Sequence, residues 1–313
     1  MKTDRIGTRR KSTAQRYSAS VRQYLAASLA TNTRRGYQAD VAHFMAWGGR
    51  IPATPRRVAA YLAHYAPLLA SSTLSRRLVA IAWAHTTRGF ASPTHSPLVK
   101  ATLQGIRRTC GRTVRQVAAL QKAQVLRMVQ GLHGIRGLRD RALLLVGFAG
   151  ALRRSELVAL NIDDVQFNEE GMVLHLRRSK TDQTGLGRNV AIPRVRGRHC
   201  PCRCLSDWLK VSGITADAIF RPVNRYEQVL SHRLSAQSVA LVIKRHALRV
   251  GLDPALYAGH SLRAGFVTNA VQRGASAASI CAQTGHRSDA VMQRYVRAGQ
   301  MFRDNANLRI WKC

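Results

Sequence analysis

The sequence predicts a mainly α-helical chain of two domains, with a small antiparallel sheet confined to the second. Three observations carry this. Apolar residues recur at spacings of three and four along most of the length. One region alone, Gly171–Arg178 with its MVLHLR run, alternates apolar and polar residues and is followed after a turn-rich stretch by Arg188–Pro193. Between the halves, IRRTCGRTVRQ (106–116) is basic, polar and broken by Gly111, as a linker would be.

In the first half, Tyr37, Val41, Phe44 and Met45 share a helical face, and Trp47 closes the run before Gly48-Gly49. Asn32 or Thr33 is the expected N-cap. Further helices are expected at Val58–Tyr65, Thr73–His85 and Pro97–Ile106, making a compact bundle. The second half opens with a helix at Lys122–Gly131 and a strongly apolar one at Arg139–Leu152. After two or three short strands, helices are expected at Leu205–Val211, Ser235–Val250, Ser261–Arg273, Ser276–Thr284 and Ala290–Ala298. The boundaries expected are a basic tail at 1–12, a helical domain at 13–108, a linker at 109–117 and a second domain at 118–313.

Charge narrows the function. Among 313 residues, 50 are basic and 15 acidic, a formal charge of +35 with a pI of about 11.6. Internal pairing cannot neutralise that excess, and nucleic acid is the commonest polyanion that can. Apolar residues make up 46%, enough for cores, so this is not a disordered basic tail. Residues 1–110 hold 18 basic residues against Asp4 and Asp40, so both halves are basic, as expected if both grip one duplex. The longest apolar run, Ala142–Leu152, is too short for a bilayer, which needs roughly 20 residues. The N-terminus lacks the apolar stretch of a secretory signal. Six cysteines are few for this length, and three of them crowd into 200–204, where they could not all bridge one another; a reducing compartment, a bacterial cytoplasm close to the nucleoid, is expected.

Two routes could break a phosphodiester. Clustered carboxylates could hold two metal ions, but the only adjacent acidic pairs are Asp163-Asp164 and Glu169-Glu170. A metal nuclease or transposase is therefore disfavoured. The alternative uses cations to stabilise the charged transition state and a side chain as nucleophile. Its residues stand in order. ALRRSEL presents Arg153 with Glu156 three positions on. RRSKTDQTGLGRNVAIP places Lys180 between two strands, beside Arg177, Arg178 and Arg188. GHSLRAG sets His260 and Arg263 one helical turn apart. TGHRSDAVMQRYVR supplies His286 and Tyr295. A continuous helix would turn roughly 900° between these last two, placing them on opposite faces. A cap at Ser288 or Asp289 would start a fresh helix and let them converge.

Taken together, these motifs resemble the tyrosine recombinase (phage integrase) family of Cre- and Xer-like site-specific recombinases. The match runs through 117–313 in motif order, and TNTRRGYQADVAHFMAW and TLSRRLVAIAWAH resemble the family's helical core-binding domain. No single motif is specific, but the ordered set is. The resemblance implies a two-domain, C-shaped DNA clamp, a SAM-like core-binding domain joined to a catalytic domain. It also implies phosphoryl transfer without metal, ATP or other cofactor. Tyr295 would attack phosphorus to give a 3′-phosphotyrosine and a free 5′-hydroxyl. Arg153 and Arg263 would fork onto the nonbridging oxygens, a geometry suited to guanidinium. Lys180 would protonate the departing 5′-oxygen, His260 would help deprotonate Tyr295, and His286 would hydrogen-bond a nonbridging oxygen. Glu156 would orient His260 or Arg153. Arg154 and Tyr257 are the less favoured rivals of Arg153 and Tyr295.

His199-Cys200-Pro201-Cys202-Arg203-Cys204 invites a zinc reading. Alternating cysteines crowd a tetrahedron, however, and no second ligand pair follows, so helix-start packing with Pro201 in the first turn is favoured over metal. Candidate DNA contacts are Arg76, Arg77, Arg107, Arg108, Lys244, Arg245 and His246. The resemblance further implies a homotetramer on two double-stranded DNA sites with short inverted repeats. The tail at 299–313, with Met301, Phe302, Leu308, Ile310 and Trp311, would dock on a neighbouring protomer. Roughly twenty residues precede the helical domain, fewer than an arm-binding domain needs. A relaxase of the type IB topoisomerase kind and a catalytically silent regulator are the alternatives; the complete catalytic set argues against the second.

Overall fold

The computed structural model describes residues 27–110, 117–177 and 187–285, together with 18, 20, 23, 24 and 310. The chain forms two compact units, 1–115 and 116–313. The expected linker residues 111–116 and the expected helix at 290–298 lie outside the described residues.

The first unit contains α1 (Thr31–Ala46), α2 (Pro55–Tyr65), α3 (Ser71–Thr86) and α4 (Pro97–Thr109), and residues 20, 23, 24 and 27 ahead of them are helical as well. Helix α1 packs on α3, and α2 on α4. Their apolar faces meet in a core of Phe44, Val58, Tyr61, Leu62, Leu74, Ile81 and Val99. Helices α2 and α4 start alike, with a capping hydroxyl followed by proline. Thr54 accepts from the Arg57 amide and Ser96 from the Val99 amide, each at 3.3 Å. The expected cap of α1 differs, because the helix begins at Thr31 behind Ala30, with no side-chain cap. Gly49 has a steric reason: a Cβ there would lie 2.4 Å from the Phe44 ring.

The second unit contains α5 (Lys122–Val129), α6 (Gly134–Ala149), α7 (Arg154–Ala159), β1 (Val165–Phe167), β2 (Gly171–Leu176) and β3 (Arg188–Pro193). It continues with α8 (Pro201–Ser212), α9 (Ala236–Arg249), α10 (Ser261–Gln272) and α11 (Ala277–Thr284). Helix α6 is the axis: Ala142–Val146 are all buried, and α8 and α10 pack against it. The strands run antiparallel in the order β1-β2-β3, with Leu174 opposite both Val165 and Val190. Trp208 of α8 is fully buried and donates its indole N–H to the Ile219 carbonyl at 2.9 Å.

Helix α6 begins five residues earlier than the apolar run predicts. Its first turn is held by Glu227, whose carboxylate accepts from the Arg136 amide at 2.9 Å. It also ends earlier, at Ala149, because Ala151 turns into the left-handed region at φ 48°. Helix α8 starts at Pro201, four residues ahead of the expected Leu205, and Cys200, Cys202 and Cys204 are buried in the main core. Cys202 and Cys204 donate their thiols to the Ile192 and Arg198 carbonyls, each at 3.4 Å. Burial pushes both thiols up to about 11. No described helix is long and apolar enough to cross a membrane.

Candidate active site

The site is built where the end of α6, α7, the start of β3, the start of α10 and the end of α11 meet. The turn Gly150-Ala151-Leu152 carries the chain out of α6 and delivers Arg153 as the N-cap residue of α7. Glu156, 4% exposed, takes hold of Arg153 twice. It accepts from the Arg153 backbone N–H at 2.9 Å and from the Arg153 guanidinium. Of the two partners expected for Glu156, Arg153 is the one bonded. Arg154 is exposed, while Arg153 keeps only 18% of its side chain accessible.

Helix α10 supplies the other half. His260 sits at its N-cap and Arg263 one turn later, 1% exposed. The Arg263 Nη1 donates to the Ala151 carbonyl at 2.8 Å, tying α10 to the turn that delivers Arg153. His260 opens to solvent. The protein crowded around its ring, then the Arg263 and Arg153 guanidiniums, hold its imidazole below the ordinary histidine value. Burial first, and the two arginines after it, thus favour the neutral imidazole.

The lower part of α10 is fixed from behind. An extended segment lies along it, with Ala118 donating to the Leu256 carbonyl at 2.9 Å and Leu120 to the Ser261 carbonyl at 3.1 Å. Gly265 permits this approach, since a Cβ there would lie 2.0 Å from the Leu120 oxygen. The glycine of HSLRAG is a packing residue.

Of the remaining expected catalytic residues, Lys180, His286 and Tyr295 lie outside the described residues. Strands β2 and β3 frame the connection that carries Lys180. Tyr257, the rival nucleophile, is buried in the main core at 6% exposure. Two residues that the sequence did not place in the site join it. Arg188, at the start of β3, lies 3.4 Å from the Glu156 carboxylate through Nη2, and Gln283 of α11 accepts from its Nη1 at 2.6 Å. Arg188 was visible only as a cation near Lys180, and nothing in the periodicity of α11 marked Gln283.

The candidate DNA contacts divide. Arg76, Arg107, Arg108, Lys244 and Arg245 are exposed. Arg77 and His246 are not, and the structure removes them from that set. Arg77, 8% exposed, donates to the Tyr61 hydroxyl at 3.0 Å and lies 3.6 Å from buried Asp40. His246, 5% exposed, bonds Asp140 at 2.8 Å. Both face their own cores because adjacent positions on a helix point about 100° apart. A run of basic residues therefore cannot all face outward.

The geometry agrees with what comparison of the whole chain finds. Residues 118–300, more than half the chain, match the phage integrase family. The chain belongs to that family. Its relatives there include an integrase/recombinase xerD homolog of Selenomonas ruminantium, 36% identical over 308 residues, covering 95% of this chain and 90% of the relative. A tyrosine recombinase XerC of Alcanivorax borkumensis is 31% identical over 163 residues, covering 50% of this chain and 47% of its own. The chain is thus a tyrosine recombinase of the Xer and integrase kind, an enzyme acting on DNA. Solved structures share the fold. The Tn1549 transposon integrase in complex with transposon right end DNA superposes with a TM-score of 0.62 at 14% identity, over 94% of this chain and 99% of that one. A lambda integrase dimer bound to a COC′ core site gives 0.60 at 16% identity, over 88% and 75%.

Proposed function

We propose that this recombinase cuts and rejoins DNA at specific sites through a covalent 3′-phosphotyrosine on Tyr295, needing neither metal nor ATP. The observation that carries the proposal is the Arg263 guanidinium anchored on the Ala151 carbonyl, in the turn that delivers Arg153, with the charges of both arginines felt by the His260 imidazole. Two fixed guanidiniums offer paired donors for the nonbridging oxygens of one phosphate, where negative charge grows as the nucleophile attacks. His260, kept neutral, is in the state needed to accept the Tyr295 proton. Lys180 protonates the departing 5′-oxygen and His286 bonds a nonbridging oxygen. Glu156 orders Arg153 and does not touch the phosphate. The phosphotyrosine retains the energy of the broken bond, so a 5′-hydroxyl from another strand can displace Tyr295 without further input.

On DNA, four protomers would hold two sites with short inverted repeats, in a cytoplasmic setting. Exposed Arg76, Arg107, Arg108, Lys244 and Arg245 would bind the duplex. The tail at 299–313 would dock in an apolar groove of a neighbouring protomer. The catalytic unit has a suitable groove of about 930 Å³, lined by Val125, Leu145, Phe148, Ile192, Phe266 and Ile280. Ile310 is helical and 71% exposed, as an apolar docking residue would be. The chain would serve the integration, excision or resolution of a mobile element or replicon.

The chemistry is tested with a nicked duplex carrying the gene's own flanking DNA, incubated with a chelator and no nucleotide. The expected product is protein linked to a DNA 3′ end with a 5′-hydroxyl that a kinase can label. A 5′-linked adduct, or cleavage only when a divalent cation is added, would refute it. Relaxation of supercoiled DNA with no sequence requirement would instead favour the topoisomerase-like reading.

A further inference from the structure

Arg188 lies at a junction of the catalytic unit that the roles above leave unused. It opens β3, directly after the connection carrying Lys180, and 17% of its side chain is accessible. Its guanidinium faces three groups. Nη1 donates to the Gln283 carbonyl in the last turn of α11 at 2.6 Å, and Nη2 lies 3.4 Å from Glu156 Oε2. The third is Gly285, which ends α11 in a left-handed conformation at φ 67°. A Cβ on Gly285 would stand 2.8 Å from the Arg188 Nε, so a larger residue there would push the guanidinium aside. Nε itself is buried with no hydrogen-bond partner among the described residues.

Gln283 completes the junction. Its side-chain amide donates to the Ala149 carbonyl at 3.0 Å and to the Ala191 carbonyl at 3.1 Å. The end of α11 is thereby held to the last turn of α6 and to the middle of β3. Glu156 is shared between two guanidiniums, Arg153 on one side and Arg188 on the other. One buried carboxylate between two cations leaves a net positive pole at the site. Burial lowers the Arg188 pKa, Glu156 opposes this, and Arg153 adds to the lowering. An arginine still remains charged at every pH the protein meets. Its planar fork reaches two acceptors in fixed directions, which an ammonium cannot do.

We infer that Arg188, with Gln283, is a positioning clasp that sets Arg153, through Glu156, against the end of α11, from which the chain runs on to His286 and Tyr295. The clasp links three segments that each carry an expected catalytic residue: the Arg153 turn, the Lys180 connection and the stretch beginning at 286. Arg188 does not touch the phosphate. It holds Glu156, and with it Arg153, in register with the end of α11. This inference rests on the phosphotyrosine reading.

The test uses the full chain and its Arg188→Gln and Arg188→Lys variants on the gene's own flanking DNA. It measures single-turnover covalent capture at saturating protein, affinity by filter binding, and the melting temperature. A misplacement of about 1 Å slows such a step roughly a hundredfold. Arg188→Gln should therefore lose roughly a hundredfold in capture rate, and Arg188→Lys roughly tenfold, since it keeps the charge but not the fork. Affinity should change by less than about threefold in both. Full capture rates in both variants would overturn the clasp and leave the Tyr295 chemistry standing. Parallel loss of capture, affinity and melting temperature in both would also overturn it, reducing Arg188 to a folding role. If the wild-type chain captures no DNA, the phosphotyrosine reading falls and the clasp falls with it.

Discussion

At the scale of the residue, the site depends on which charges are buried together. Burial, and then the charges of Arg263 and Arg153, hold the His260 imidazole below the ordinary histidine value. If it accepts the Tyr295 proton, only its unprotonated form is productive. The capture rate at saturating DNA should then rise with pH through an inflexion below the ordinary histidine value. His260→Gln should lower the plateau and flatten the limb; an unchanged inflexion in that variant would assign the titration to another group. Glu156 is the opposite case, a buried carboxylate serving two arginines. Glu156→Ala should leave two like charges uncompensated and cost about 3 kcal/mol or more of stability, read by denaturant unfolding. Motif order was legible in the sequence where the chemistry calls for a residue type. Among the described residues, Glu156 bonds Arg153, and Arg263 bonds the Ala151 carbonyl in the turn before Arg153. Arg188 and Gln283 escaped because their roles are set by partners 32 and 92–134 positions away in sequence.

Elements were legible where their signals are local. Val58–Tyr65 and Pro97–Ile106 were found from periodicity and lie within α2 and α4. The alternation of MVLHLR gave β2, and RNVAIP gave β3. Three-residue β1 and six-residue α7 are too short for a period to declare itself. The early start of α6 depends on Glu227, far along the chain, and no local pattern announces it. Gly265 shows the same limit from the other side, since its reason is the Leu120 carbonyl against it. Gly265→Ala should push the 118–120 segment off α10 and cost about 2 kcal/mol. The catalytic unit's melting temperature should fall by about 4–8 °C. A variant as stable as wild type would show that the segment can shift freely.

For the whole molecule, a formal charge of +35 makes DNA affinity a matter of counter-ion release. Affinity for random duplex should fall by about a thousandfold or more between about 50 and 200 mM salt. A flat response would mean that few of the basic residues reach phosphates. The proposed tetramer would depend on a different surface. Removing residues 306–313 takes Leu308, Ile310 and Trp311 from the tail and should abolish the tetramer on DNA while sparing binding to a single site, as read by gel shift and light scattering. Loss of folding instead would mean that the tail packs on its own protomer.

The central claim is that Tyr295 becomes bonded to DNA. Wild type and Tyr295→Phe are incubated with the gene's own flanking DNA, quenched with detergent, and any DNA covalently attached is sequenced. Capture by wild type alone, at one position, is the predicted result, and it would read out the recognition site directly. Capture by both proteins would contradict the claim.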